Sequence, residues 1–177
     1  MELIGYSICS IGSLGLRNAR ACVSNISVTN SFIKNSDNGL RIKTWQGGSG
    51  SVSRVSFSNI HMDTVKNPII IDQYYCLTKN CPNQTSAVYI TNVSYKNIKG
   101  TYDAKAASMH LACSDAVPCT NLTMSNVKLH PAQPQQPVLN PFCWNAYGSW
   151  MAMTIPPVYC LLYRDPLAMP SSDLRLC

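Results

Sequence analysis

From Asn38 to Trp45 apolar and cationic side chains alternate, so an extended chain turns Leu40 and Ile42 to one face and Arg41 and Lys43 to the other. Two cations on the outer face of a half-buried strand ordinarily make a solvated edge that discourages pairing with another chain. Four further segments carry an Asn followed by a branched aliphatic residue: VSNISV from Val23, SFSNIHM from Ser56, YITNVSY from Tyr89 and TMSNVKL from Thr123. Their asparagines, Asn25, Asn59, Asn92 and Asn126, recur every 33 or 34 residues. Between them, Leu40 and Ile42 of GLRIKTW precede Ile69 and Ile71 of NPIIIDQYY by 29 residues. No segment sustains helical spacing, and Gly, Ser, Asn and Pro punctuate the intervals.

Short strands at constant coil length predict an all-β fold, a parallel β-helix in which like residues stack inside from coil to coil. An antiparallel sandwich ranks second, because Asn38-Gly39 is the one strong hairpin dipeptide. Stacking Leu40 on Ile69 and Ile42 on Ile71 puts Lys43 over Asp72, about 4.8 Å away. That pair is expected to form a partly exposed ion-pair rung worth about 0 to 1 kcal/mol. Pro131, Pro134, Pro137 and Pro141 cannot donate to a strand ladder, so the coils are expected to end near Leu129. The organisation expected is an atypical N-terminus over 1–9, coils over 10–129 and a loop-rich, disulfide-tied cap over 130–177. Cys143, Cys160 and Cys177 would tie the cap across the last coil, with Trp144, Tyr147 and Trp150 as packing anchors. At the other end, apolar rungs near Val23 to Val28 would be left open.

Composition narrows the partner. The chain has 177 residues, 12% of them charged, with 14 Lys and Arg against 8 Asp and Glu for a net charge of +6. That imbalance suits a polyanion. The cations are scattered rather than run together, so nucleic acid and membrane surfaces lose ground to an acidic polysaccharide, though composition does not choose among the three. Nine cysteines without zinc spacing point to an oxidising compartment, with Cys76 and Cys81, and Cys113 and Cys119, as candidates for short disulfide loops. Asn25, Asn83, Asn92 and Asn121 begin Asn-x-Ser/Thr triplets and are candidate glycosylation sites. Secretion to the cell exterior follows as the expectation. The first residues, MELIGYSICS, lack the basic start of a secretory signal, which suggests that an upstream portion of the protein is missing.

SIGSLG (10–15), NGLRIKTWQGGSG (38–50), NPIIIDQYYC (67–76), TSAVYITNVSYKNIKGT and LACSDAVPC together resemble plant polygalacturonases of glycoside hydrolase family 28. The resemblance runs from about Ser10 to Leu129, and the segment from Leu129 into the cap is similar to one branch of that family. It implies a right-handed parallel β-helix, secreted to the cell wall as a monomer, that hydrolyses α-1,4 linkages of polygalacturonate (pectin) with inversion and without a cofactor. Arg41 and Lys43 are then expected to hold galacturonate carboxylates in a cleft, a role suited to a bidentate guanidinium and a nearby ammonium. Tyr75 would help to position the sugar, and Tyr74 would be packing or surface.

Inversion requires a carboxylic acid and a carboxylate about 6.5 to 9.5 Å apart. The family carries these in NTD and DD segments ahead of SIGSLG, and neither occurs in this sequence. Ser7 stands where the family's GHG histidine belongs, between Tyr6 and Ile8. No catalytic residue is therefore assigned within the chain. Asp37 suits a turn and Asp72 a pair with Lys43, His61 and His130 fit no motif, and His110 reads as a strand residue. A non-catalytic pectin-binding or decoy protein is the alternative. A pectate lyase ranks lower, because no acidic cluster offers calcium ligands.

Overall fold

The computed structural model describes residues 2–4, 9–77, 81–151, 153–163 and 177, with the backbone alone for 2–4. Its strands are β1 (Glu2–Ile4), β2 (Cys9–Leu14), β3 (Arg20–Lys34), β4 (Asn38–Trp45), β5 (Ser49–Val65), β6 (Asn67–Tyr75), β7 (Tyr89–Tyr102), β8 (Met109–Ala112), β9 (Cys119–Pro131), β10 (Phe142–Trp144) and β11 (Ala146–Trp150). They form two sheets, ordered β1-β3-β5-β7-β9-β11 and β10-β8-β6-β4-β2. Every pairing between these strands is parallel. A chain that alternates between two sheets and returns each time in parallel is a β-helix, and its shorter sheet has five rungs. Asn38-Gly39 makes no hairpin: it opens β4, where Asn38 pairs with Asn67. Glycine is needed there because a Cβ would stand 2.5 Å from the Pro68 carbonyl oxygen of the next rung.

In-register stacking builds the core from columns of like residues. Leu40, Ile69 and Met109 form one column and Ile42, Ile71 and Leu111 a second, all fully buried. In the other sheet Val55, Val93 and Leu122 align, as do Ile60, Ile98 and Val127. Phe57 lies over Tyr95 with ring centroids 5.3 Å apart. Each fully buried side chain of this size is worth roughly 1.5 to 3 kcal/mol. On β3, the first long rung, Ala21, Val23, Ile26 and Val28 point inward but are only half-buried and pack against the core from above.

The asparagine repeat is real, but its register differs from a single period of 33 or 34. Asn25, Arg54, Asn92 and Asn121 form one column, and Asn30, Asn59, Asn97 and Asn126 a second. Stacked partners are separated by 29 residues, or by 38 between Arg54 and Asn92 and between Asn59 and Asn97. The two columns stand five residues apart along the chain. Stepping from one column to the other therefore lengthens a coil of 29 and shortens a coil of 38 by the same five residues. All eight positions have φ of 50° to 59°, a left-handed corner that bends each long strand. Asparagine tolerates that conformation better than other side chains, and its amide donates to the carbonyl of the rung beside it. Asn59 Nδ2 donates to Asn30 Oδ1 at 3.2 Å, Asn97 Nδ2 to Asn59 Oδ1 at 3.1 Å and Asn126 Nδ2 to Asn97 Oδ1 at 3.0 Å.

After the proline-rich stretch the chain returns to both sheets: β10 pairs with β8 and β11 with β9. Ladder pairing thus continues beyond Leu129, carried by residues that follow the last of the four prolines. Disulfides join Cys76 to Cys81, Cys113 to Cys119 and Cys143 to Cys160. Cys177 does not tie the last coil. It bonds to Cys22 on β3, 155 residues away at the opposite end of the stack. Cys9 is the free thiol, and partial burial raises its pKa. No helix of the described residues is long and apolar enough to cross a membrane.

Replacing Asn97 by alanine removes two ladder hydrogen bonds and puts at φ 54° a side chain that tolerates the left-handed region less well than asparagine. The expected cost is about 1 to 3 kcal/mol. Glycine, which reaches positive φ freely, should cost less than alanine. Urea midpoints of the two variants check this, and an equal loss would contradict the corner assignment.

Candidate functional site

The pleat that sends Leu40, Ile42 and Thr44 into the core leaves Arg41, Lys43 and Trp45 on the outer face of the shorter sheet. On the next rung Ile69, Ile71 and Gln73 point inward while Ile70, Asp72 and Tyr74 point outward. Lys43 is opposite Asp72 in the ladder, as stacking requires. The ion pair, however, is made by Arg41, whose Nη2 lies 3.6 Å from Asp72 Oδ2. Lys43 instead places its Nζ 4.5 Å from the centre of the Tyr75 ring, with Arg41 Cζ 5.5 Å from the same centre. A bulge explains the exchange. Register shifts between Lys43 and Trp45, so Trp45 pairs with Tyr75 and brings that ring beside both cations. Trp45 backs it edge-on at 5.0 Å.

Two cations, one carboxylate and one aromatic face therefore converge at the end of β4 and β6. Cation-π attraction holds the long side chains against Tyr75 and limits the rotamers they must give up when an anion arrives. Arg41 is 15% exposed and Asp72 23%, so the pair is partly shielded and Lys43 is the charge left over. Gly12, with φ 107°, lies directly above: a Cβ there would run into the Lys43 carbonyl oxygen. The SIGSLG segment can therefore pack onto the cationic rung only with glycine at that position.

Below the cations the face continues. His110 follows Ile70 and Phe142 follows His110, with the two rings stacked at 4.6 Å. Ala112 follows Asp72 and Trp144 follows Ala112. Trp144 was expected to anchor packing, yet it is 50% exposed, because β10 is the last strand of its sheet. Trp150 does pack, edge-on against Tyr159 at 5.5 Å. The indole N–H of Trp144 donates to Asp115 Oδ1 at 2.7 Å, and the Asp115 backbone N–H donates to the Tyr74 hydroxyl at 2.9 Å. Tyr74 is thus a strut beneath the loop that carries Asp115. Buried Gln73 ties the same loop from inside, donating to the Val88 carbonyl at 2.7 Å and accepting from the Ser114 N–H at 3.0 Å.

The remaining candidates scatter. Asp37 pairs with Lys66 at 2.5 Å on a turn, and Asp63 with Lys34 at 3.2 Å. Hydrogen bonds from Thr64 and Lys34 lower the Asp63 pKa. His61 stacks on Phe32 in the other sheet, beside a hollow of about 330 Å³ lined by Asn59, Asn97 and Asn126. Asn25, Asn83, Asn92 and Asn121 are all exposed. Asn92 and Asn121 occupy adjacent rungs, where the Asn121 amide donates to Asn92 Oδ1. Ser7 lies outside the described residues, as do Asp165 and Asp173. Among the described residues, no group of three His, Cys, Asp or Glu is placed to hold a metal ion.

The family profile described as glycosyl hydrolases family 28 matches residues 5–143. A probable polygalacturonase of Arabidopsis thaliana is 47% identical over 154 residues, which cover 86% of this chain and 34% of that protein. A polygalacturonase of Chamaecyparis obtusa is 53% identical and polygalacturonase-2 of Solanum lycopersicum 50% identical, each over 71% of this chain. Those matches cover 24% and 27% of the two relatives, so the chain spans about a quarter to a third of the proteins it matches. The chain belongs to glycoside hydrolase family 28.

His110 yields a pH prediction. Burial lowers its pKa and nearby Asp72 opposes that shift in part. Because the folded protein binds the proton less well than the unfolded chain, stability is full above the ordinary 6.5 and is lost as pH falls through the lowered value. The urea midpoint should therefore drop on acidification below pH 6.5, and less steeply in His110→Gln. An identical slope in the variant would remove His110 as the cause.

Proposed function

We propose that this chain carries the substrate-holding part of the cleft of a secreted polygalacturonase-type glycosidase, acting as a monomer on α-1,4-linked galacturonan in cell-wall carbohydrate metabolism. Arg41 and Lys43 hold a galacturonate carboxylate and Tyr75 orients the ring that bears it. The observation that carries the reading is the convergence of both cations on Tyr75, with Asp72 neutralising one of them. An arriving carboxylate gains a guanidinium held in place by Asp72 and an ammonium with no carboxylate partner among the described residues. Family membership supports hydrolysis. Four disulfides and the exposed glycosylation triplets support a life outside the cell.

A second reading, binding without turnover, draws on the carboxylates of this face. Asp72 is engaged by Arg41 and by the Tyr74 N–H, and Asp115 by the Trp144 indole. Neither stands free as an acid or base. Release of reducing ends from polygalacturonate separates the two readings, since the binding protein would retain polygalacturonate without shortening it.

Polygalacturonate affinity should fall about 10- to 100-fold in Arg41→Ala and somewhat less in Lys43→Ala, as expected for loss of charge-assisted hydrogen bonds. Arg41→Lys should restore little, because an ammonium cannot reproduce the bidentate fork. Calorimetric titration at low and high salt checks this. Unchanged affinity in both alanine variants would overturn the assignment.

A further inference from the structure

Three strand spacings below Lys43, on the same face, stands the exposed indole of Trp144. The separation is about 14 Å. An exposed Trp on an edge strand is normally unconstrained, but this one is fixed on two sides. Its N–H is held by Asp115, and the Cys143–Cys160 disulfide anchors the preceding residue. Open grooves of about 390 and 500 Å³ flank it, and the larger one runs up past Phe142 and His110 to Asp72. The electrostatics also change along the face. The upper end has surplus positive charge, whereas at the lower end Asp115 has no cationic partner among the described residues.

We propose that Trp144 is the platform of a distal sugar subsite that takes an uncharged pyranose ring, such as a methyl-esterified galacturonate, from the chain whose free carboxylate is held by Arg41 and Lys43. The proposal rests on the reading of those cations given above. A pyranose offers one face of C–H groups, which suits the electron-rich face of an indole. Accepting the indole N–H polarises the ring further toward that face. The same carboxylate repels a second one beside it, so Asp115 acts as a specificity residue against free uronate at this position. A dimer cannot span from the cations to the indole, and a hexamer can.

The test compares galacturonate dimer, de-esterified hexamer and partially methyl-esterified hexamer on the full chain. Trp144→Ala should weaken both hexamers, the esterified one by about tenfold, and leave the dimer unchanged, while Trp144→Phe restores most of the loss. Asp115→Asn, which can still accept the indole hydrogen bond, should narrow the preference for the esterified hexamer. Hexamer affinities that are the same with and without Trp144 overturn the platform, and so does an equal loss for dimer and hexamers. Tighter binding of the de-esterified hexamer by the unmodified chain overturns the selectivity. If neither dimer nor hexamer binds the unmodified chain, the cation reading falls and the distal subsite falls with it.

Discussion

Everything in this molecule depends on parallel, in-register hydrogen bonding between successive coils. Because each coil rises by one strand spacing, a residue's neighbours are the residues at its own position in the coils above and below. A core of columns follows, and so does a surface of columns. Moving one rung by a single residue would turn Arg41 and Lys43 into the interior and Leu40 and Ile42 to solvent, a change no buried column could absorb. The apolar columns therefore specify the register, and the register in turn places Arg41, Lys43 and Asp72 on one outer face.

How much of this was legible in the sequence depended on whether coil length was constant. Leu40 and Ile42 lie 29 residues before Ile69 and Ile71, and the same offset pairs Asn30 with Asn59. There the alignment could be read directly. The next coil is longer because the connection from β6 to β7, which carries the Cys76–Cys81 disulfide, spans residues 76–88, whereas that from β4 to β5 spans only 46–48. Two asparagine columns with alternately long and short coils then imitate one regular spacing, and only the three-dimensional pairing separates them. For the same reason Trp144 could not be aligned below Lys43: its column runs through Asp72 and Ala112 at unequal intervals. Cys22–Cys177 was beyond reach as well, since no local pattern links residues at opposite ends of a chain.

Register also explains why the ion pair did not follow from the alignment. Cα pairing puts Lys43 opposite Asp72, yet side chains of this length choose among several partners within reach. The Tyr75 ring offers both cations a second attraction, and Arg41 can satisfy Asp72 while lying against that ring. A guanidinium is suited to this double role, being planar, weakly hydrated and able to donate along its edge while its face rests on an aromatic. An ammonium is a compact charge and takes the ring alone.

The two cations meet Tyr75 where the ladder is imperfect. Register shifts between Ile11 and Leu14 on β2, and between Lys43 and Trp45 on β4, interrupt the same face at neighbouring rungs. A perfect ladder would have paired Trp45 with Tyr74 and turned Tyr75 inward, on the side of Ile71 and Gln73. The bulge turns it toward the cations instead. The outer face gives up regularity at the end of these strands, while Leu40, Ile42 and their columns keep it within the core. The buried columns and the cationic surface thus sit on opposite faces of the same strands, separated by the alternation of a single pleat, and the bulge can reshape one without disturbing the other.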